Sequence, residues 1–268
     1  MIKDITIGQY FPGNSVIHKM DPRMKIILTV VYITALFLVK NFWGFLITGA
    51  FLATVIFISK IPLKTVLKGV KPLTFIIVFT AFFNIFYGTG PSVAPNIAWL
   101  SWLKWEGLKN AAFMAIRIIL LITGTSFMTY TTSPVMLTDA IERLLSPLKH
   151  IKVPVHELSM MMTIAMRFIP TLIDETEKIT NAQKARGADF ETGNIIRRAK
   201  ALIPILIPLI VSAFRRAEEL ADAMECRCYN GGDGRTRYKI YNFSLRDYIA
   251  AFVVVFILAS VIVINIYS

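Results

Sequence analysis

The twenty residues from Tyr248 to Tyr267, YIAAFVVVFILASVIVINIY, carry no charged side chain and begin just after Arg246-Asp247. At about 1.5 Å per residue a helix of this length matches the roughly 30 Å hydrocarbon core of a bilayer. Four other apolar stretches extend the pattern: Ile26 to Val39, Phe42 to Ser59, Leu73 to Tyr87 and Ala111 to Tyr130. The first two are parted only by Lys40-Asn41 and read as a tight hairpin. Five membrane spans are therefore expected.

Composition agrees. Of 268 residues, 55% are hydrophobic and 17% charged, and the mean hydropathy is +0.60. Soluble domains run nearer a quarter charged, so the balance excludes disorder and argues against an ordinary soluble enzyme. The length admits one or two domains. The net charge of +12 fits Lys and Arg placed on cytoplasmic loops. Its basic patches lack a nucleic-acid fold signature, so no nucleic-acid partner is expected. Cys226 and Cys228 are the two cysteines; they cannot form a disulfide framework, and no oxidising compartment is implied. The first 25 residues carry six charges and no apolar run, so no cleavable signal peptide is expected.

Basic residues set the expected orientation. Lys3, Lys19, Arg23 and Lys25 precede the first span, and only Lys40 follows it. Lys60, Lys64, Lys68 and Lys71 lie in the next connection; the one after, residues 88–110, carries Trp99, Trp102 and Trp105, an interfacial aromatic cluster. Residues 131–247 hold 17 of the 29 Lys and Arg. The alternation places the N-terminus inside and the C-terminus outside. The chain thus divides into an N-terminal membrane region (1–130), a cytoplasmic region (131–247) and a last span (248–268).

The cytoplasmic region contains two apolar runs, Val155 to Ile173 and Ala201 to Phe214, each followed by a polar helical tail. Pro170, Pro204 and Pro208 interrupt them and are expected to kink the helices. The second run is too short to span, and the first contains Glu157 and Arg167. Two long, half-apolar helices at the inner membrane face are expected instead. They share a layout offset by 41 residues: Glu177 matches Glu218, Ala182 matches Ala223, and Arg186 matches Arg227. Gly187 is expected to end the first, and Asn230-Gly231-Gly232 the second. Each arm thus ends in an arginine between small neighbours, Ala185 and Gly187 on one, Cys226 and Cys228 on the other. A cation in the last turn serves the helix dipole anyway. Two such tips on matched arms also suit insertion into partner grooves, where a guanidinium forms a fork of hydrogen bonds that lysine cannot copy.

These tips carry a resemblance. Lys184-Ala185-Arg186-Gly187-Ala188-Asp189 and Ala223-Met224-Glu225-Cys226-Arg227-Cys228-Tyr229 resemble the two arginine motifs of the transmembrane T component of energy-coupling-factor (ECF) transporters, a branch of ABC importers. At the second tip both small neighbours have become cysteine. Gly8-Gln9-Tyr10, Ser15, His18 and Asp21-Pro22-Arg23 with Lys25 are similar to that family's opening segment. Asp21 can also cap the first helix with Pro22 at its first position, and Arg23 and Lys25 can hold that end at the cytoplasmic face. The resemblance runs over nearly the whole chain. It implies an all-α integral membrane protein, about five transmembrane helices plus long cytoplasmic coupling helices, in a prokaryotic plasma membrane. It further implies that Ala185, Arg186, Gly187, Cys226, Arg227 and Cys228 meet two ABC-type ATPase subunits, which bind the ATP and Mg. The chain itself is expected to hold no cofactor or metal and to be non-enzymatic. A membrane-embedded substrate-binding (S) component, for vitamins such as folate, riboflavin or biotin, is the third implied partner. Met160, Met161, Met162 and Met166 suit that contact because methionine surfaces repack easily; plain packing is the simpler account. A T component dedicated to cobalt or nickel uptake is the alternative.

The remaining features point less far. Arg117 lies inside a span, where ionisable groups are usually paired, functional or snorkelling. Cys226 and Cys228 without a nearby His fall short of a metal site. His18, His150 and His156 read as structural or surface residues. Gly231-Gly232-Asp233-Gly234 reads as a flexible loop. No Gly-x-x-x-x-Gly-Lys-Ser/Thr loop is present, so ATP hydrolysis is not expected of this chain. A membrane lipid enzyme would need clustered acids; Asp174, Glu175 and Glu177 are the nearest set, and helix solvation explains them more simply.

Overall fold

The computed structural model describes residues 10–86, 104–190, 194–231 and 243–267. Among them the regular structure is helical: α1 Pro22–Leu38, α2 Phe42–Ser59, α3 Leu63–Val70, α4 Thr74–Phe86, α5 Trp105–Thr131, α6 Pro134–Leu145, α7 Val155–Ala185, α8 Ile195–Glu225 and α9 Leu245–Tyr267. The protein is an all-α membrane protein. Contacts divide it into two compact units. One holds α1–α5 and α9; the other holds α7, α8 and α6 from Thr138 onward.

In the first unit, α1 begins where expected. Asp21 caps it, its carboxylate accepting from the Arg23 amide at 2.8 Å, and Pro22 fills the first position. Four helical stretches are long and apolar enough to cross a membrane: Phe42–Ser59, Leu63–Phe86, Trp105–Thr131 and Leu245–Tyr267. At 17 residues α1 falls just short by that measure, yet it lies along α9 from end to end. The Asp21 amide donates to Asp247 at 3.0 Å at one end, and the Asn265 side-chain amide donates to the Leu38 carbonyl at the other. It therefore covers the depth that α9 covers, and five helical courses line up in the bundle. The third begins earlier than the apolar run predicts, at Leu63 rather than Leu73. Lys64, Lys68 and Lys71 dilute the hydropathy there, and Pro72 tightens the helix into a 3₁₀ turn, Lys71–Leu73, without ending it. Its expected end at Tyr87, with Trp99 and Trp102, lies outside the described residues. The fourth also starts earlier, at Trp105.

The two ends of the bundle differ in chemistry. At one end Leu36, Val39, Phe45 and Val261 form a buried apolar cluster. The other end, where α5 finishes and α9 starts, is a buried polar knot. Asp247, 1% exposed, accepts from the Asp21 amide with one oxygen and from the Ser244 amide and hydroxyl, at 2.8 and 2.9 Å, with the other. Arg23 chelates Asp21 and lies over the Phe243 ring, 4.5 Å from its centre. Lys25 corrects an expectation. It does not reach out to the membrane face but is buried, its ammonium donating to the Thr131 carbonyl at 2.9 Å, Thr132 Oγ1 at 3.2 Å and the His18 carbonyl at 3.4 Å. Three donors meeting three acceptors make burial tolerable for a lysine. His18 sits 2.7 Å from Ser15 Oγ and 3.0 Å from the Phe11 carbonyl, and burial pushes its pKa below the ordinary histidine value. Close packing of α1 on α5 rests on Gly124, where any Cβ would strike the Tyr32 ring.

Replacing Asp247 with alanine orphans the buried Asp21 amide, so Asp247→Ala should cost about 1–3 kcal/mol. Thermal unfolding of the detergent-solubilised chain should show a lower midpoint for Asp247→Ala and a smaller drop for Asp247→Asn.

Candidate functional site

In the second unit α7 and α8 are each 31 residues long. Both run unbroken through their prolines, Pro170 in one and Pro204 and Pro208 in the other. The prolines thus lie inside continuous helices and do not end them. α8 also starts at Ile195, ahead of the apolar run at Ala201, because Asn194 opens the helix and the basic turn Arg197-Arg198 continues into it.

The arms pack on each other. Arg216 donates to Glu175 at 2.6 Å, and the Gln183 side-chain amide reaches the Pro204 carbonyl at 3.5 Å. These contacts step forward along α7 and backward along α8, so the arms cross in opposite chain directions. Glu175 and Arg216 occupy equivalent places, 41 residues apart. Arg186 lies eleven residues beyond Glu175 and Arg227 eleven beyond Arg216, about 16 Å of helix in each case. The two tips therefore project from opposite ends of the pair.

Both tips end by the same hydrogen bonds. On α7 the Arg186 amide donates to Gln183 at 3.1 Å, Gly187 to Lys184 at 3.0 Å, and Ala188 back to Gln183 at 3.0 Å. On α8 the Arg227 amide donates to Met224 at 3.1 Å, Cys228 to Glu225 at 2.8 Å, and Tyr229 back to Met224 at 3.0 Å. These three bonds on one arm map to their counterparts by the 41-residue offset, and the Arg186 amide also reaches the Ala182 carbonyl at 3.2 Å. This is the Schellman closure, in which the chain turns back over the last carbonyls through one left-handed residue. Gly187 fills that place with φ +86°, and Cys228 fills it with φ +53°. The second arm thus stops at Cys228, before the Asn230-Gly231-Gly232 turn that the glycine pattern favours. Hydrogen-bond closure outweighs the cost of a left-handed cysteine, roughly 1–2 kcal/mol.

Ala185, Arg186, Gly187, Cys226, Arg227 and Cys228 are all exposed, so each guanidinium stands clear at the end of a rigid helix. Both cysteines are free thiols. Among the described residues no cluster of His, Cys, Asp and Glu could hold a metal ion. On α7, Met161 and Met162 are exposed and Met160 and Met166 half-buried; α8 shows Leu202, Ile203, Leu206, Ile207, Ile210 and Phe214. Of the acidic trio, Glu175 is committed to Arg216. Arg117 finds a partner within its own unit, donating to the Val39 carbonyl and lying 5.6 Å from the centre of the Phe45 ring.

One feature escaped sequence reasoning. Glu142 of α6, buried, accepts from Ser159 Oγ of α7 at 3.0 Å and meets His156 Nδ1 at 3.2 Å. It ties the root of the first arm to the short helix before it. An acid on α6 facing a His and a Ser three residues apart at the start of a helix was the available signal.

Matched arms capped by exposed arginines, in a chain that also carries a bundle of apolar helices, describe a membrane protein rather than a soluble domain. Residues 13–238 match the family described as CbiQ, cobalt transport protein. The energy-coupling factor transporter transmembrane protein EcfT of Ruminiclostridium cellulolyticum is 57% identical over 251 residues, 92% of each chain. The protein of the same name from Clostridium kluyveri is 56% identical over 94% of this chain and 93% of its own. That of Lactococcus lactis is 44% identical over 92% of each. The chain belongs to the CbiQ/EcfT family.

The left-handed residue at each tip makes opposite substitutions informative. Cys228→Gly should stabilise the second tip by up to about 1 kcal/mol, and Gly187→Ala should destabilise the first by a similar amount. Amide hydrogen exchange at residues 186–188 and 227–229 should slow in the first variant and quicken in the second.

Proposed function

We propose that this chain is the coupling subunit of an energy-coupling-factor importer, carrying the work of ATP hydrolysis by two ABC-type ATPases to a membrane-embedded S component. The observation that carries the reading is the pair of arginine tips closed by one hydrogen-bond scheme. Two identical terminations presented from opposite ends of a crossed helix pair suit two equivalent grooves. About 16 Å of helix carries each tip away from the crossing, in opposite directions along the pair, which suits two grooves rather than one. Each groove belongs to one ATPase, and each guanidinium supplies a fork of charge-assisted hydrogen bonds there. Ala185 and Gly187 keep the first tip slim; Cys226 and Cys228 do so at the second. ATP and Mg stay with the ATPases, and this chain is not itself an enzyme.

A partner's change of state moves the arms only through contacts that differ between its states. Closure of the ATPase pair shifts the tips, and unbroken helices transmit the shift. The exposed apolar faces of α7 and α8, including Met160, Met161, Met162 and Met166, meet the S component, where adaptable side chains serve exchangeable partners. The substrate is a vitamin or similar micronutrient held by that S component. The protein lies in the cell membrane of a prokaryote with its N-terminus and arms in the cytoplasm and its C-terminus outside. A T component dedicated to cobalt or nickel is the second reading, favoured by the family description. The shared name of relatives up to 57% identical favours the first.

The test is uptake by the Arg186→Ala, Arg227→Ala double variant with its natural partners in vesicles. ATP-dependent uptake should be abolished while the chain still inserts, and each single variant should retain less than half. Uptake at the wild-type rate in the double variant refutes the reading.

A further inference from the structure

Within the helical bundle, α1, α2, α5 and α9 line a half-open cavity of about 410 Å³ that the coupling role leaves unused. Its wall is apolar: Leu28 and Tyr32 from α1, Phe51 from α2, Phe127 from α5, Ile249 and Val253 from α9. Thr29 and Thr54 add hydroxyls to the lining, and its charged members, Lys25 and Arg246, belong to the end where Asp21 meets Asp247. Lys25 spends its donors on Thr131, Thr132 and His18. Arg246 is exposed and makes no hydrogen bond or ion pair among the described residues.

The register of these groups has a meaning in a bilayer. Arg246 opens α9, a helix that crosses the membrane, so it stands at headgroup depth. Ile249, Ala250, Val253 and Val254 line the cavity three to eight residues further on, about 5 to 12 Å into the hydrocarbon. A cation at the surface with an apolar chamber directly below it is the complement of one molecule class: an anionic headgroup on a hydrocarbon tail. A guanidinium pairs with a phosphate through two parallel hydrogen bonds, and 410 Å³ lies within the range of small-ligand sites. We propose that this cavity holds an acyl chain of an anionic phospholipid whose phosphate is bound by Arg246.

The test uses the full chain with its copurifying subunits in phosphatidylcholine nanodiscs. These carry a trace of tail-photoactivatable phosphatidylglycerol, or of the phosphatidylcholine probe with the same tail, and labelled peptides are read by mass spectrometry. The phosphatidylglycerol probe should label the walls at Phe51 and Ile249 about fivefold more than the phosphatidylcholine probe, as one basic residue at an anionic headgroup gives. The outward face of α4 at Phe79 and Phe82 should take both equally. Arg246→Gln should bring the wall ratio near one, and Ala250→Trp, which places an indole in the cavity, should suppress wall labelling by both probes. Equal labelling of the walls in the unaltered chain overturns the proposal. So does a preference that survives Arg246→Gln, or one of equal size at α4, which would mark ordinary surrounding lipid. Unlabelled walls would mean that a protein segment fills the cavity, and that also overturns it.

Discussion

At the end of each arm the amide two residues past the arginine folds back onto a carbonyl three residues before it: Ala188 onto Gln183, Tyr229 onto Met224. That single closure fixes where the helix stops. It satisfies carbonyls that would otherwise need water, and it sets the arginine on the last turn, exposed, where the dipole favours a cation. With 31 continuous residues behind each tip, the guanidinium is held at a set distance from the crossing point at Glu175 and Arg216. Lengthening an arm by one residue would rotate its tip by about 100°. The position of the closure thus decides which way each arginine faces.

The helical bundle solves a different problem. Charged groups that sit next to hydrocarbon must be paired or hydrogen-bonded. Asp21, Arg23, Lys25 and Asp247 meet at one end and exchange their hydrogen bonds with each other, with Ser244 and with the end of α5. The opposite end is sealed by Leu36, Val39, Phe45 and Val261. The polar end pins α1, α5 and α9 together where the chain leaves the bundle after α5 and re-enters at α9. Helix positions are thereby specified by directional bonds at one end and by packing at the other.

Much of this was legible in residues 248–267 and in the 41-residue offset of the arms. Long uncharged runs have one main outcome, and the matched Glu177/Glu218, Ala182/Ala223 and Arg186/Arg227 pairs predicted two similar helices with similar tips. The cap by Asp21 and Pro22 was also readable, because capping is local. What was not readable depended on tertiary partners. The basic residues before α1 place Lys25 at the cytoplasmic face; three acceptors, from the end of α5 and the loop before α1, draw it inward instead. The start of α3 was hidden by lysines that dilute hydropathy without breaking a helix. The turn-formers Asn230-Gly231-Gly232 point to a later stop than Cys228, whose left-handed backbone is held by hydrogen bonds that residue type does not announce. The Glu142 contacts with His156 and Ser159 join separate helices, and the spacing of His156 and Ser159 does not by itself say which acid they meet.

In the proposed assembly a nucleotide-driven partner covers the second tip, and the tip's own thiols report on it. The measurement is the rate of maleimide labelling of Cys226 and Cys228 in membranes, with the ATPase subunits bound and after they are stripped off. Both thiols are exposed in the chain itself, so the stripped form should react quickly. The assembled form should be protected about tenfold or more, the effect expected when a site is buried in an interface worth at least about 1.4 kcal/mol locally. Equal labelling rates in the two forms would mean that the arginine tip lies outside the contact, and would contradict the account.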